Sequence, residues 1–152
     1  MYIQTFLEQY NDKKVKLFID MDGVVADYNF GVPYDYHLKR PLHYMIDRLE
    51  EISKMPNIEM YIFSATRFNN GFEEKQGWLD KYIPFIKKEN RIILSREANG
   101  MEETAVLKAD FMRNFERDDS VLIVIDDDPK NLTMIHEAAE DVVLLKETVL
   151  ID

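Results

Sequence analysis

The chain has 152 residues, and 46% of them are hydrophobic, which favours one folded domain with its own core and argues against disorder. It contains no cysteine, so disulfides and thiolate zinc sites are excluded. The formal net charge of −10 disfavours broad electrostatic binding to nucleic acid or anionic membranes.

The chain also lacks sequence patterns for export or membrane insertion. Its first sixteen residues, MYIQTFLEQYNDKKVK, do not combine a cationic start with an apolar stretch, as a secretory signal does. The longest apolar runs, such as VLIVI at 121–125, are too short to cross a bilayer. We therefore expect a cytoplasmic protein.

The first predicted element in chain order is a buried strand, VKLFI at 15–19, identified by its length and apolar content. A helix follows at 41–55, where apolar residues recur at helical spacing after Pro41. The same criteria then predict, in order, a strand at 58–63, a helix at 72–83, a strand at 91–94, a helix at 103–115, a strand at 121–125, a helix at 129–140 and a strand at 142–145.

This alternation of strands and helices predicts an α/β fold with a parallel sheet and helices on both faces, formed by a single domain over residues 1–152. In such folds ligands gather at the carboxyl ends of the strands, at the point where the strand order reverses. The position of a site can therefore be sought among the polar residues that directly follow the strands.

Polar residues follow three of the predicted strands. Asp20, Asp22 and Asp27 come after the first strand, Ser64 and Arg67 come after the second, and Asp126, Asp127 and Asp128 come after the fourth. If the first and fourth strands are neighbours, six carboxylates share one crevice. A hard divalent cation would relieve their repulsion, and Mg²⁺ fits a site formed by Asp20 and Asp126, with Asp127 as a further candidate.

A magnesium–carboxylate site suits phosphoryl transfer, which needs a nucleophile, a proton donor and charge stabilisation. Asp20 is the candidate nucleophile, and Asp22 is the candidate acid and base because an extended stretch would return its side chain to the side of Asp20. Gly23 allows a sharp turn after the strand. Ser64 can donate a hydrogen bond to a phosphoryl oxygen, and Lys108 can balance negative charge.

Four segments in order, FIDMDGVVAD, YIFSAT, Lys108 and VLIVIDDDPKN, resemble the four motifs of haloacid dehalogenase (HAD) superfamily phosphatases. The resemblance implies a three-layer Rossmann-like fold with a five-stranded parallel sheet in the order 5-4-1-2-3. It implies Asp20 as nucleophile and Mg²⁺ ligand, Asp22 as acid and base with its backbone carbonyl on the metal, and Asp126 as a direct ligand. Asp127 would bind through water or orient Lys108.

Two subfamilies look most similar. DMDGVVAD and IDDDPKN resemble the 5′(3′)-deoxyribonucleotidases, whereas LSREANGMEETAVLKADFM resembles the 3′-phosphatase domain of phage polynucleotide kinase. The second resemblance implies that Arg96 and Arg67 hold substrate phosphate, beside Gly23 and Ala65 of the motifs. The expected reaction is Mg²⁺-dependent hydrolysis of a nucleotide or nucleic-acid 3′-phosphate through an aspartyl-phosphate, with no membrane and no obligate protein partner.

The segment between the first strand and the first helix bears on substrate size. Residues 28–40 are too few for a helical cap, so an open site with a minimal cap is expected, able to admit a nucleic-acid end. Its aromatic residues Tyr28, Phe30, Tyr34 and Tyr36 either stack on a base or, as we favour, pack the segment against the domain. The basic stretch from Lys81 to Arg96 is either a solvated surface or a strip that receives nucleic acid.

Three alternatives remain at the level of sequence. A phosphoryl-accepting receiver module also combines a five-stranded parallel sheet with aspartates, a hydroxyl and a lysine, and Lys146 after the fifth strand is the residue that would serve it. A second alternative is a catalytically silent relative that only binds nucleotide. Finally, Asp27 and Asp128 are either site residues or local caps, Asp27 of the turn after the first motif and Asp128 of the helix that follows it.

Overall fold

The computed structural model describes residues 3–28 and 35–151. Five strands form one parallel sheet: Val15–Ile19 (β1), Ile58–Thr66 (β2), Arg91–Ser95 (β3), Val121–Asp126 (β4) and Val143–Lys146 (β5). The helices are Ile3–Glu8 (α1), His43–Ser53 (α2), Gly71–Tyr82 (α3), Thr104–Asn114 (α4) and Pro129–Ala138 (α5). Short 3₁₀ turns lie at Tyr36–Leu38, Lys88–Asn90, Glu97–Asn99 and Glu147–Leu150.

The strand order is β3-β2-β1-β4-β5, which is the predicted order read from the opposite edge. β1 is central and pairs with both β2 and β4, so that Leu17 lies between Met60 and Ile123. The direction of strand succession reverses between β1 and β4, and the crevice outside their carboxyl ends is the expected place for a ligand. Receiver domains with the flavodoxin-like order 2-1-3-4-5 differ from this topology.

The two faces of the sheet carry separate apolar clusters. Side chains such as Leu17, Ile19 and Ile62 pack with α1, α2 and α3 on one face. Phe18, Phe63 and Val124 pack with α4 and α5 on the other face. Side chains alternate between the two faces along a strand. The face on which a strand residue lies therefore also determines the face towards which the polar residues after it point.

Several element boundaries differ from the sequence-based prediction. β2 continues to Thr66, three residues beyond the predicted end, because Ala65 and Thr66 pair with Leu94 and Ser95 of β3. The helix α1 was not predicted; it is only 6 residues long, and it buries Ile3 and Leu7. None of the helices in the described ranges is long and apolar enough to traverse a bilayer.

Candidate active site

Three carboxylates meet at the carboxyl ends of the two strands that flank the reversal. Asp20 follows β1, Asp126 ends β4, and Asp127 comes next in the chain. One oxygen from each lies within 4.8 Å of the others, and Asp126 is fully buried. A donor set made only of carboxylate oxygens fits a hard cation such as Mg²⁺. The predicted metal ligands Asp20, Asp126 and Asp127 are thus brought together.

Lys108 enters this cluster from α4. Strand parity turns Asp20 and Asp126 towards the face covered by α4, where the Lys108 ammonium lies 3.0 Å from Asp20 and 2.6 Å from Asp126. Burial alone would lower the pKa of Lys108, but Asp20 and Asp126 hold that pKa above its ordinary value. Burial raises the pKa of Asp20 to about 7 against the opposing effect of Lys108. The Lys108 ammonium does not by itself compensate for three gathered carboxylates.

Asp126 has further partners that keep it fixed. Its carboxylate accepts hydrogen bonds from the Asn131 side-chain amide at 3.2 and 3.3 Å and from the backbone N–H of Asp128 at 2.9 Å. Asn131 lies in α5 within the quoted IDDDPKN motif, although its role was not predicted. Together with Lys108 of α4, the Asn131 amide of α5 therefore orients the carboxylate that the sequence assigned to the metal.

Asp22 is held from the opposite side. The prediction of an extended stretch through Asp22 is wrong, because β1 ends at Ile19 and the N–H groups of residues 24–26 fold back onto the Met21 carbonyl. The Asp22 carboxylate accepts hydrogen bonds from Tyr36 at 2.9 Å, from Lys75 at 3.2 Å and from Lys39. Burial alone would raise the pKa of Asp22, but Lys75 and Lys39 outweigh burial and hold that pKa below its ordinary value.

Ser64 lies on the same side as Asp22. The alternation along β2 turns Ser64 towards the face covered by α3, where it is almost fully buried. The Lys75 ammonium donates to the Ser64 hydroxyl oxygen at 2.8 Å and to the Ala65 carbonyl at 2.7 Å. Lys75 was not among the predicted site residues, because lysines in a helix are normally solvated. Its spacing from Trp78 and Leu79 was the available signal, since it places Lys75 on the buried stripe of α3.

The turn after β1 brings the backbone close to Asp127. Gly23 has a φ of +82°, and a β-carbon at this position would collide with the side chains of Asp127 and Tyr28. The Tyr28 hydroxyl donates to the Asp127 carboxylate, and Lys146 donates to the Asp127 backbone carbonyl at 2.7 Å. Burial raises the pKa of Asp127. Lys146 therefore contacts the edge of the cluster through backbone only.

The two arginines predicted to hold phosphate lie outside the aspartate cluster. Arg96 is half-buried and donates to the carbonyls of Glu102 at 2.8 Å and Met101 at 3.2 Å, which closes the loop between β3 and α4. It also lines a shallow cavity of about 170 Å³ with Lys130 and Asn131. Arg67 is exposed and lies over the ring of Phe68, 5.3 Å from its centroid.

Asp27 and Asp128 have local roles. The Asp128 side chain accepts from the Lys130 N–H at 2.8 Å and caps α5, one of the two roles considered for it. The contacts of Asp27 within the described residues are with Arg40. Its N–H donates to the Arg40 carbonyl at 2.9 Å and its carboxylate pairs with the Arg40 guanidinium, which joins the two ends of the segment before α2.

The aromatic residues of segment 28–40 differ in their burial. Tyr36 is buried against Trp78, with ring centroids 5.8 Å apart, which confirms packing for this residue. Tyr28 is 46% exposed although its hydroxyl contacts Asp127. Phe30 and Tyr34 lie outside the described residues.

The basic stretch from Lys81 to Arg96 does not form one strip. Arg91 begins β3 and is buried, where it donates to the Ile86 carbonyl, Gln76 and Asp80. Lys87 and Lys88 lie beside it at the amino end of the sheet, whereas Arg96 follows β3 at the carboxyl end. The length of β3, about 16 Å for 5 residues, separates these charges. Of the two alternatives for this stretch, the continuous strip is therefore not formed.

Comparison with known proteins gives matches at the level of structure. No family model matches the sequence, and no curated protein sequence gives a significant match. A chain in a structure of the Pnkp1/Rnl/Hen1 RNA repair complex is similar with a TM-score of 0.66 and 18% identity, over 89% of this chain and 43% of that chain. A chain in a second structure of the Pnkp1/Rnl/Hen1 complex is similar with a TM-score of 0.65 and 17% identity, over 88% of this chain and 46% of that chain.

The HAD domain of the effector protein Lem4 from Legionella pneumophila is also similar, with a TM-score of 0.54 and 14% identity. That alignment covers 88% of this chain and 84% of the Lem4 domain. The chain thus spans less than half the length of the matched chains from the RNA repair complex, but most of the length of the Lem4 domain. At these identities the comparisons show that the chain has the fold of HAD domains.

Proposed function

We propose that the chain is a Mg²⁺-dependent phosphomonoester hydrolase that forms an aspartyl-phosphate on Asp20. The observation that carries this proposal is the position of Asp20 beside Asp126, Asp127 and Lys108 at the topological switch of a HAD-type sheet. A buried carboxylate with a raised pKa in such a crevice is typical of a functional site. Asp20, Asp126 and Asp127 are the residues that would hold Mg²⁺, with the Asp22 backbone carbonyl as a further ligand implied by the resemblance to HAD phosphatases.

In the first chemical step a carboxylate oxygen of Asp20 attacks phosphorus, and the bond from phosphorus to the ester oxygen breaks. The leaving oxygen takes a proton from Asp22. In the second step water attacks the phosphorus of the aspartyl-phosphate, its proton passes to Asp22, and Asp20 is regenerated as free phosphate leaves. The bound metal supplies charge stabilisation for the phosphoryl oxygens.

Other side chains stabilise and orient the phosphoryl group in this scheme. Ser64 donates a hydrogen bond to a phosphoryl oxygen, and the Lys108 ammonium compensates the charge on Asp20 as the attack proceeds. The contacts of Asp22 with Tyr36, Lys39 and Lys75 favour its ionised form, which is the form that accepts a proton from water in the second step. Proton donation in the first step uses its minor, protonated form.

The proposed substrate class is a nucleotide or nucleic-acid 3′-phosphate. Support comes from the similar chain in an RNA repair complex and from the resemblance of residues 94–112 to the phosphatase domain of phage polynucleotide kinase. Arg67 and Phe68 follow β2. Arg67 offers a cation for phosphate, and Phe68, which is 43% exposed, offers a ring for base stacking. We propose Arg67 and Arg96 as groups that contact the substrate beyond the phosphate that reacts.

A phosphatase screen tests this proposal. Phosphate release should be measured with p-nitrophenyl phosphate, 3′-mononucleotides, 5′-mononucleotides and oligonucleotides with a 3′-phosphate, each with Mg²⁺ and with EDTA. We expect many turnovers with Mg²⁺, the highest kcat/KM for 3′-phosphates, and loss of release with EDTA. A single phosphorylation of the protein without turnover would contradict hydrolysis, and a preference for 5′-mononucleotides would contradict the substrate class.

A further inference from the structure

Lys75 occupies a position on α3 where an apolar side chain is expected. It shares the buried stripe of the helix with Trp78 and Leu79, and only 4% of it is exposed. Burying an ammonium group is unfavourable unless hydrogen bonds and a counter-charge compensate. The neighbours of Lys75 therefore indicate what the residue does.

Each donor of the Lys75 ammonium has an acceptor. The ammonium lies 2.8 Å from the Ser64 hydroxyl oxygen, 2.7 Å from the Ala65 carbonyl and 3.2 Å from the Asp22 carboxylate, and it lies over the Tyr36 ring, 5.1 Å from the centroid. These contacts join the end of β2 to the turn after β1. A helical residue thus connects the two segments that carry the proposed phosphate ligand and the proposed acid and base.

The contact with Ser64 has a direction. An ammonium group donates hydrogen bonds and cannot accept them, so the Ser64 oxygen is the acceptor in this pair. The hydroxyl hydrogen of Ser64 must then point to a different partner. A hydroxyl that accepts from a cation is also polarised, which strengthens the hydrogen bond that it donates.

We infer that Lys75 is a positioning residue for phosphate binding: it fixes the Ser64 hydroxyl as a donor to a phosphoryl oxygen and ties it to Asp22. This inference rests on the proposed phosphatase function. Lys75 does not touch the phosphoryl group in this account, and it acts through Ser64. It complements Lys108, which reaches Asp20 and Asp126 from the other face of the sheet.

A purely structural role for Lys75 makes a different prediction. If the ammonium only neutralised Asp22 within the core, its loss would lower the melting temperature and would weaken phosphate binding equally with or without the Ser64 hydroxyl. If it acts through Ser64, the effects of the two substitutions on phosphate affinity are coupled. A double-mutant cycle separates these cases.

The cycle uses Lys75→Met, Ser64→Ala and the double variant, with inorganic phosphate plus Mg²⁺ as the probe and calorimetry as the measurement. We expect Lys75→Met to weaken phosphate binding about 10- to 100-fold in the wild-type background, the range of a lost charge-assisted hydrogen bond. In the Ser64→Ala background it should weaken binding only about 3-fold or less, because the shared partner is already absent. Lys81→Met, an exposed substitution in the same helix, is the matched control and should bind as the wild type does.

Lys75→Gln is a second variant with a smaller change in polarity, and it should repeat the result; thermal unfolding of each protein verifies its fold. Full loss of affinity in both backgrounds, or wild-type affinity in a folded Lys75 variant, would overturn the inference. Phosphate binding does not need turnover. A chain that binds phosphate with this coupling but never hydrolyses an ester would contradict the proposed function alone.

Discussion

Asp20 is a buried carboxylate that is repelled by neighbouring carboxylates. Asp20 is 7% exposed and has Asp126 and Asp127 beside it, and Lys108 donates the ammonium hydrogen bond that compensates it. Burial raises the pKa of Asp20 to about 7, so the metal-free protein keeps a proton that the unfolded chain has released. A bound cation would remove this repulsion, which is the physical reason for placing three aspartates at the end of a buried strand.

The raised pKa predicts that the metal-free protein loses stability as pH rises. The group titrates at 3.8 when unfolded and at about 7 when folded, so its stabilising effect is complete below pH 4 and is lost progressively up to pH 7. Between pH 5 and 8 in EDTA the free energy of unfolding should fall by about 2 to 3 kcal/mol more for the wild type than for Asp20→Asn. Urea unfolding across this range measures the difference.

Asp47→Asn serves as the control, because it removes an exposed carboxylate of α2 and should follow the wild-type curve. Parallel curves for the wild type and Asp20→Asn would mean that Asp20 is ionised in the folded protein without metal. That outcome would contradict the raised pKa.

The residues that sequence reasoning identified are those whose position relative to a strand determines their direction. Asp20 follows β1, Ser64 lies near the end of β2 and Asp126 ends β4, so their common position at the carboxyl edge of the sheet could be predicted from the strand pattern. Lys75 and Tyr36 could not be found in this way, because their contacts with Asp22 depend on how a helix and a 3₁₀ turn pack onto the sheet. Helical periodicity marks Lys75 as buried, but it does not say which residues it contacts.

At the scale of elements, the turn between β1 and the segment before α2 controls the shape of the site. Three N–H groups converge on the Met21 carbonyl, and the φ of +82° at Gly23 turns the chain beside Asp127. The sequence indicated a turn at Gly23. The expected extended path through Asp22 was wrong, because the turn already begins at Met21. The turn thus separates Asp20 and Asp22, whose lysine partners come from opposite faces.

Gly23→Ala tests the close approach at this turn. The alanine backbone must keep a positive φ, which costs about 1 to 2 kcal/mol. Its methyl group also displaces the side chains of Asp127 and Tyr28. Because misplacing catalytic groups by about 1 Å can slow a reaction about 100-fold, we expect a loss of kcat/KM of about that size. Phosphate release from p-nitrophenyl phosphate, with thermal unfolding in parallel, provides the measurement.

Gly100→Ala is a matched control, since Gly100 also has a positive φ of 64° but a β-carbon there meets nothing within 4 Å. Gly100→Ala should lower the free energy of unfolding by about 1 to 2 kcal/mol, as Gly23→Ala does, while the phosphatase activity is retained. Equal activity losses in the two variants would indicate that backbone strain, and not the approach to Asp127, determines the effect of Gly23→Ala.

At the scale of the whole molecule, the alternation of strands and helices was sufficient to predict the layers, and the motif resemblance was sufficient for the strand order. The sequence did not predict α1, whose 6 residues are too few for a clear helical period, or the extension of β2 to Thr66, whose pairing depends on β3. The spacing of the basic stretch in the sequence was also insufficient to show whether its charges lie together. Residues that are near in sequence lie at opposite ends of the sheet when a strand separates them.

The fold and the proposed chemistry are connected through the reversal of strand order at β1 and β4. This reversal brings the ends of two strands and the helices α3 and α4 to one crevice, so that buried lysines from both faces reach the aspartates. The proposed substrate, by contrast, depends on surface residues such as Arg67 and Phe68, whose positions are set by loops.

The most direct test of the account is a comparison of the wild type with Asp20→Asn during Mg²⁺-dependent hydrolysis. In acid-quenched reactions, mass spectrometry should find a phosphoryl group on the Asp20 peptide of the wild type. Asp20→Asn should remain folded, carry no phosphoryl group and release phosphate at least about 1,000-fold more slowly, as expected when a nucleophile is removed. Phosphate release by Asp20→Asn at the wild-type rate would contradict the assignment of Asp20 as the nucleophile.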